Sequence, residues 1–245
     1  MQLLFVGASE LENIPPPALD THFELLIRIV DEHGAIIPPG AFLPSAEHYN
    51  LSPRLDRWLI RTAFDWLTAN PSCLDTLKLC SINLSGNSLG DEEFGQFVVD
   101  ELARTNLPPS KICFEITETA AISRIAAATR PINMSKELGF KFALDDFGSG
   151  LSSFSYLKNL PVDDLKIDGL FIRDIADNNI NFAMVKSINE IGQVMGKKTV
   201  AEFVENDAIL DKLHDIGVDF AQGYGIGKPV PIAKLASGVA RPATH

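Results

Sequence analysis

Short apolar runs alternate with longer amphipathic segments along the whole chain. The runs are Leu3–Val6, Phe23–Val30, Leu77–Leu84, Ile112–Thr117, Lys141–Leu144, Asp164–Ile167, Thr199–Val204 and Phe220–Tyr224. Their length and flanking turn residues predict strands. Between them lie segments of helical period. In Leu55–Leu67 the apolar positions are Leu55, Trp58, Leu59, Ala63, Phe64 and Leu67. Phe94–Leu102, Ile122–Leu138, Phe182–Met195 and Ala208–Ile216 read the same way. Gly139 and Gly217 follow two of these helices, as left-handed C-caps require. Eight strand–helix units in 245 residues predict an α/β fold, a parallel sheet closed into a TIM-like (β/α)8 barrel. An open doubly wound sheet usually carries a glycine-rich phosphate turn after its first strand, and Gly7-Ala8-Ser9 is not one. Pro15–Pro17, Pro38-Pro39 and Pro108-Pro109 read as turns within one domain spanning residues 1–245. The chain starts almost inside its first strand, which suggests a domain excised from a longer protein.

Polar residues fall at or near the ends of these runs. They are Glu24, Asn83, Glu115, Asp145, Asp146, Lys166, Glu202 and Gln222. Each alone has an ordinary structural reading: a strand Glu facing water, an Asp-Asp turn before Gly, an Asn closing a strand. Together the ordinary readings fail, because the flanking residues are apolar on both faces. In a parallel barrel the C-terminal strand ends converge on one mouth. Carboxylates gathered there repel one another, hold protons, or bind cations. Oxygen donors without His or Cys suit Mg²⁺, Mn²⁺ or Ca²⁺. Asp145 is placed to give an oxygen to each of two ions, with Asp146 beside it on the second. Two ions about 3.5–4 Å apart are a general device for in-line attack on a phosphodiester. Lys166 adds a point charge on the next strand, where it can hold the attacking water.

Composition narrows the partners. The net charge of −11 and a pI near 4.9 argue against a duplex nucleic acid partner. A small anionic ligand stays compatible, since bound metal ions override global charge locally. The three cysteines, Cys73, Cys80 and Cys113, form no CxxC pair and read as free thiols in a reducing compartment. The five histidines lack HxH or HExxH spacing, which argues against a histidine-built zinc site. No apolar run reaches the roughly 20 residues of a membrane span, and the first residues lack a basic signal region. The domain is therefore expected to make no membrane contact and to work in the cytoplasm, alone or as part of a larger, membrane-anchored protein.

These residues resemble the motifs of the EAL domain family, a cyclic di-GMP phosphodiesterase module. The resemblance runs from about Leu3 to Pro231. It rests on Glu24-Leu25-Leu26 with Arg28, Ile82-Asn83-Leu84-Ser85, Glu115-Ile116-Thr117-Glu118 and Asp145-Asp146-Phe147-Gly148-Ser149-Gly150. Leu165-Lys166-Ile167-Asp168, Ala201-Glu202-Phe203-Val204-Glu205 and Gln222-Gly223-Tyr224 complete it. It implies a barrel with a reversed first strand. It also implies hydrolysis of cyclic di-GMP to linear pGpG with two Mg²⁺ or Mn²⁺, with Ca²⁺ as an inhibitory competitor. Carried over by motif, Glu24, Asn83, Glu115 and Asp145 hold one metal. Asp145 and Asp146 hold the other, with Glu202 in or next to its shell. Lys166 orients the attacking water and Gln222 supports the site. Arg28, with Leu26, meets the substrate, and Glu118 anchors the loop from Phe147 to Ser153. The family also implies a homodimer acting through that loop, and an upstream sensor or GGDEF domain in the parent protein. The chain departs from the family pattern at Leu25, at Phe203 where Gly is common, and at Phe5–Ser9 where a Gln-Pro-Ile motif is usual, with Gly7 in place of the Gln.

A second reading of the same residues is a catalytically weak or silent cyclic di-GMP receptor acting through a protein partner. A glycosidase would need two carboxyls about 5–10 Å apart across a sugar, whereas Asp145 and Asp146 are adjacent. Gly223–Lys228 lacks the Ser or Thr of a phosphate loop, because Pro229 follows the Lys. Asp146-Phe147-Gly148 lacks the other kinase motifs.

Overall fold

The computed structural model describes residues 2–10, 21–150 and 154–236. The turn expected at Pro15–Pro17 and the loop residues Ser152 and Ser153 lie outside them. The strands are β1 (Gln2–Glu10), β2 (Thr21–Val30), β3 (Ile36–Ile37), β4 (Leu77–Asn83) and β5 (Ile112–Thr117). They continue with β6 (Lys141–Phe147), β7 (Asp164–Ile167), β8 (Lys198–Ala201), β9 (Phe220–Gln222) and β10 (Val230–Pro231). The helices are α1 (Pro39–His48), α2 (Ser52–Ala69), α3 (Pro71–Thr76), α4 (Gly86–Leu89), α5 (Phe94–Thr105) and α6 (Glu118–Ser123). After them come α7 (Ile125–Glu137), α8 (Gly169–Ile172), α9 (Asn179–Val194), α10 (Asp207–Ile216) and α11 (Ala233–Ala236).

Parallel pairing runs from β2 through β4, β5, β6, β7 and β8 to β9. β1 closes the ring by pairing antiparallel with both β2 and β9. The eight apolar runs are these eight barrel strands, and the first is reversed as the resemblance implies. Strands of such a barrel are covered inside and out, so they lack polar–apolar alternation. β5 is the clearest case, buried at every position from Ile112 to Ile116.

Helices supply the outer layer through one apolar stripe each. In α2 the buried residues include Leu59, Ile60, Ala63, Phe64 and Leu67, at the spacing of one helix face. Phe114 of β5 stacks near Phe140 and Phe142, at centroid distances of 5.2 and 5.6 Å. Phe64 of α2 joins them through Phe140. Cys80 and Cys113 are buried free thiols, as expected, and Cys73 is half-buried. No helix among the described residues is long and apolar enough to cross a membrane.

Three expectations change. The single helix expected over Ile122–Leu138 is two. Thr117 caps α6 straight off β5, its Oγ1 accepting from the Ala120 N–H, and Arg124 then leaves helical geometry before α7 starts. Pro38-Pro39 is not merely a turn: Pro39 opens α1, where a missing N–H costs nothing. Finally, β6 runs past Leu144 to Phe147, while β8 stops at Ala201 rather than Val204.

Candidate active site

The barrel brings the strand-end residues together at one mouth. Glu24 of β2 is buried, as is Glu115 of β5. Asn83, the last residue of β4, stands opposite Glu115 in the β4–β5 ladder. Asp145 and Asp146 sit in an irregularity of β6. Leu144 pairs with Leu165 and Phe147 with Ile167, so two residues of β6 face the single Lys166 of β7. That is a β-bulge, and Asp146 takes the left-handed backbone that it needs, φ +54°. The two adjacent carboxylates are thereby turned toward the same region, which an unbroken strand would forbid.

Lys166 is the hub. Its Nζ lies 2.7 Å from Glu115 Oε2, 2.8 Å from Glu202 Oε1, 3.1 Å from Asp145 Oδ1 and 3.3 Å from Glu24 Oε2. Its side chain is 2% exposed. Two amides also donate to Glu24: Asn83 Nδ2 at 2.5 Å and Gln222 Nε2 at 2.7 Å. A cavity of about 30 Å³ is lined by Glu24, Glu115, Lys166 and Gln222 together with His22, Leu79 and Phe220.

Protonation tendencies follow from these partners. Burial works against ionisation of Glu24, but Lys166, Gln222 and Asn83 outweigh it and hold its carboxyl below the usual range. Burial pushes Glu115 well up; Lys166 opposes this, while Glu24 and Asp145 add to it. Burial, countered in part by Lys166 and aided by Asp145, pushes Glu202 up to about 8. Burial and the neighbouring Asp145 and Asp168 push Asp146 up to about 6. Burial disfavours the Lys166 ammonium, but the four carboxylates overcome it and raise the group well above its ordinary value.

The donor set fits divalent cations. Two carboxylates about 4 Å apart at an effective dielectric near 20 repel by about 4 kcal/mol. Five carboxylates meet here against one ammonium, a formal excess of four negative charges that two divalent ions would balance. Asp145 Oδ1 is buried and accepts no hydrogen bond; its contact with Lys166 is an ion pair without hydrogen-bond alignment. Ligand oxygens of Asp145, Asp146 and Glu202 lie within 4.8 Å of one another. All these donors are hard oxygens, as Mg²⁺ and Mn²⁺ require.

Further residues support this centre. Glu118 is buried, accepting from the Gly148 N–H at 3.0 Å and from the Tyr156 hydroxyl at 2.5 Å. It thus ties down the start of the loop after Asp146. Gly148 has φ +96°, and a Cβ there would stand 3.0 Å from Phe171. Leu26 and Arg28 follow Glu24 on the same face of β2 but stay outside the carboxylate network, with Arg28 Nη1 donating to its neighbour's carbonyl. Leu25 belongs to the hydrophobic core. In the β1–β2 register Gly7 stands opposite Phe23, whereas Gln2 stands opposite Arg28.

Two contributors have no role assigned from the sequence, although Asp168 stands in the motif after Lys166. Asp168 caps α8, accepting from the Leu170 N–H at 2.7 Å, and raises the Asp146 carboxyl. Its position two residues after Lys166 was the available signal. Asp56 of α2 is buried, and its Oδ2 accepts from the Ser85 N–H, the Ser85 hydroxyl and the Ser88 hydroxyl. It fastens the segment that follows Asn83. A lone Asp in an amphipathic helix gives no such signal.

Comparison with known proteins adds to this geometry. The family model described as EAL domain matches residues 20–229. Cyclic di-GMP phosphodiesterase PdeB of Shewanella oneidensis is 47% identical over 210 residues, covering 86% of this chain and 24% of that protein. Cyclic di-GMP phosphodiesterase PdeF of Escherichia coli is 36% identical over 213 residues, covering 87% of this chain and 28% of that protein. The chain thus spans well under half the length of these relatives. Among solved structures, the FimX EAL domain from Pseudomonas aeruginosa bound to c-di-GMP superposes with a TM-score of 0.84 at 28% identity, covering 93% of this chain and 90% of that one. The PaMucR phosphodiesterase complex with c-di-GMP gives 0.83 at 30% identity, covering 95% and 93%.

Proposed function

The chain belongs to the EAL domain family, and from that premise we propose that it hydrolyses cyclic di-GMP to linear pGpG at the barrel mouth. The observation that carries this reading is the buried convergence of Glu24, Glu115, Asp145 and Glu202 on Lys166, with Asp145 Oδ1 left without a hydrogen bond. Two divalent cations, Mg²⁺ or Mn²⁺, would supply Lewis acidity toward the phosphoryl oxygens and a more acidic water. Glu24, Asn83, Glu115 and Asp145 would hold one ion. Asp145, Asp146 and Glu202 would hold the other, and Ca²⁺ would occupy the site without supporting turnover.

The chain's own groups then divide the remaining work. Lys166 holds and orients the attacking water with its ammonium, and offers positive charge where the phosphoryl oxygens gain negative charge. Gln222 and Asn83 fix the Glu24 carboxylate by donating to its two oxygens. Glu118 holds the Gly148 loop so that Asp146 keeps its left-handed turn. Arg28 and Leu26, above Glu24 on β2, take a phosphate or guanine edge of the substrate.

The reading extends to assembly. Residues 1–245 act as one catalytic unit in the cytoplasm, governed by an upstream sensor or GGDEF domain. Two copies associate beside the loop after Asp146, where Leu170, Ile180 and Met184 are exposed and Phe171 packs against Gly148. The test of activity is chromatography of purified protein incubated with cyclic di-GMP and Mg²⁺ or Mn²⁺. Release of pGpG supports the reading. Binding without any release, at micromolar protein, overturns it in favour of a receptor.

A further inference from the structure

Phe203 follows Glu202 and has a left-handed backbone, φ +54°. For a bulky residue this is an outlier that persists only where the surroundings over-determine it. Here they do. Its ring lies against Gly169, the first residue of α8: a Cβ at that position would fall 2.2 Å from Phe203 Cδ2 and 2.7 Å from Cγ. Only glycine leaves room for this seat. The Arg173 guanidinium stands over the ring, 4.2 Å from its centroid.

The seat matters because of where the β8 ladder stops. Its last pair is Ile167 with Ala201. Glu202 lies one residue beyond, and its N–H reaches the Ile167 carbonyl only at 3.4 Å. On the far side, the Val204 N–H donates to the Gln222 carbonyl at 3.0 Å. Toward β7, the segment is held by this long bond, by the Glu202–Lys166 ion pair at 2.8 Å and by the Phe203 ring. The ring fastens it to the stretch that carries Lys166 and Asp168 immediately before Gly169.

We propose that Phe203 is a positioning residue for Glu202: its ring, seated on Gly169 beneath Arg173, holds the Glu202 carboxylate beside Lys166 and toward the cation it shares with Asp145 and Asp146. This rests on reading the mouth as a cation site, and it assigns a role to a side chain where the family pattern commonly has none. Strain at φ +54° and 44% exposure of an aromatic ring are then the cost of a fixed carboxylate.

The experiment is a Mn²⁺ titration by calorimetry, with no substrate present. Phe203→Gly suits the backbone, so the variant keeps its fold and its thermal midpoint in EDTA, yet Mn²⁺ affinity at the site of Asp145, Asp146 and Glu202 falls about 10-fold. Gly169→Ala, which unseats the ring from the other side, gives a similar loss. The double variant binds no more weakly than Phe203→Gly alone, and Phe203→Tyr keeps wild-type affinity. Wild-type Mn²⁺ affinity in Phe203→Gly, or losses that simply add in the double variant, would overturn the proposal. Because no turnover is read, failure here is distinguishable from failure of the phosphodiesterase reading.

Discussion

Lys166 Nζ stands 2.7 Å from Glu115 Oε2, with both side chains almost wholly buried. Among the described residues of the mouth it is the one ammonium set against five carboxylates. Removing one partner of a buried pair leaves uncompensated charge and costs about 3–5 kcal/mol. Lys166→Met, which keeps the apolar stem, is therefore expected to lower the thermal midpoint in EDTA. Mg²⁺ is expected to restore part of that stability. Turnover of cyclic di-GMP should drop about 100-fold or more, because no cation replaces the ammonium beside the water. Turnover at the wild-type rate would take Lys166 out of the chemistry.

Acidity gives a second expectation. Asp146 and Glu202 have folded-state values of about 6 and about 8, above their ordinary values of 3.8 and 4.5. The folded chain therefore holds protons that the unfolded chain has released. The stability associated with them is complete below the ordinary carboxylate range. It is lost as pH rises through about 6 for Asp146 and about 8 for Glu202. In EDTA the thermal midpoint should decline across that window. With saturating Mn²⁺ the cation takes the protons' place, so the decline should vanish or reverse. Fluorimetric melts with and without Mn²⁺ would decide it; parallel curves count against the cation site.

The loop after Asp146 supplies a third. Glu118 accepts from both the Gly148 N–H and the Tyr156 hydroxyl. Tyr156→Phe removes one of two charge-assisted bonds, worth about 1.5–3 kcal/mol. Glu118→Ala removes both and leaves the Gly148 N–H without that acceptor. Mn²⁺ affinity should fall modestly in the first variant and strongly in the second. Equal affinities, measured by the same titration, would mean that the loop does not govern Asp146.

Asp56 supplies the fourth. All three of its donors converge on one oxygen, Oδ2. An Asn can offer one carbonyl oxygen in that place, whereas Ala offers none. Asp56→Asn should melt close to wild type. Asp56→Ala should lose about 1–3 kcal/mol for the buried donors it strands. Denaturant curves read both directly, and a tolerant Ala variant would show that the segment after Asn83 is held by the sheet alone.

These expectations differ in how far the chain itself announced them. The eight strands were legible because burial on both faces makes each a short apolar run, and Glu24, Asn83, Glu115, Lys166 and Glu202 stood out as polar residues breaking such runs. The bulge at Asp145-Asp146 was not legible, because two residues oppose one only once β6 and β7 are in register. Arg124 ends α6 without a Gly or Pro to mark the break, so one helix was expected where two exist. Phe203 was visible only as a departure from a motif. Its seat depends on Gly169, thirty-four residues earlier in the chain and adjacent only after folding. Asp56 likewise meets Ser85 through tertiary packing.

β2 extends beyond Glu24 through Leu26 to Arg28 and on to Val30, still paired with β1 as far as Arg28. Strand rise sets the Arg28 Cα about 13 Å beyond that of Glu24 along a rail that β1 pairs throughout. The rail acts as a measuring stick. On the proposed reading, a ligand held both at the carboxylates and at Arg28 would have to span the interval that this pairing keeps constant.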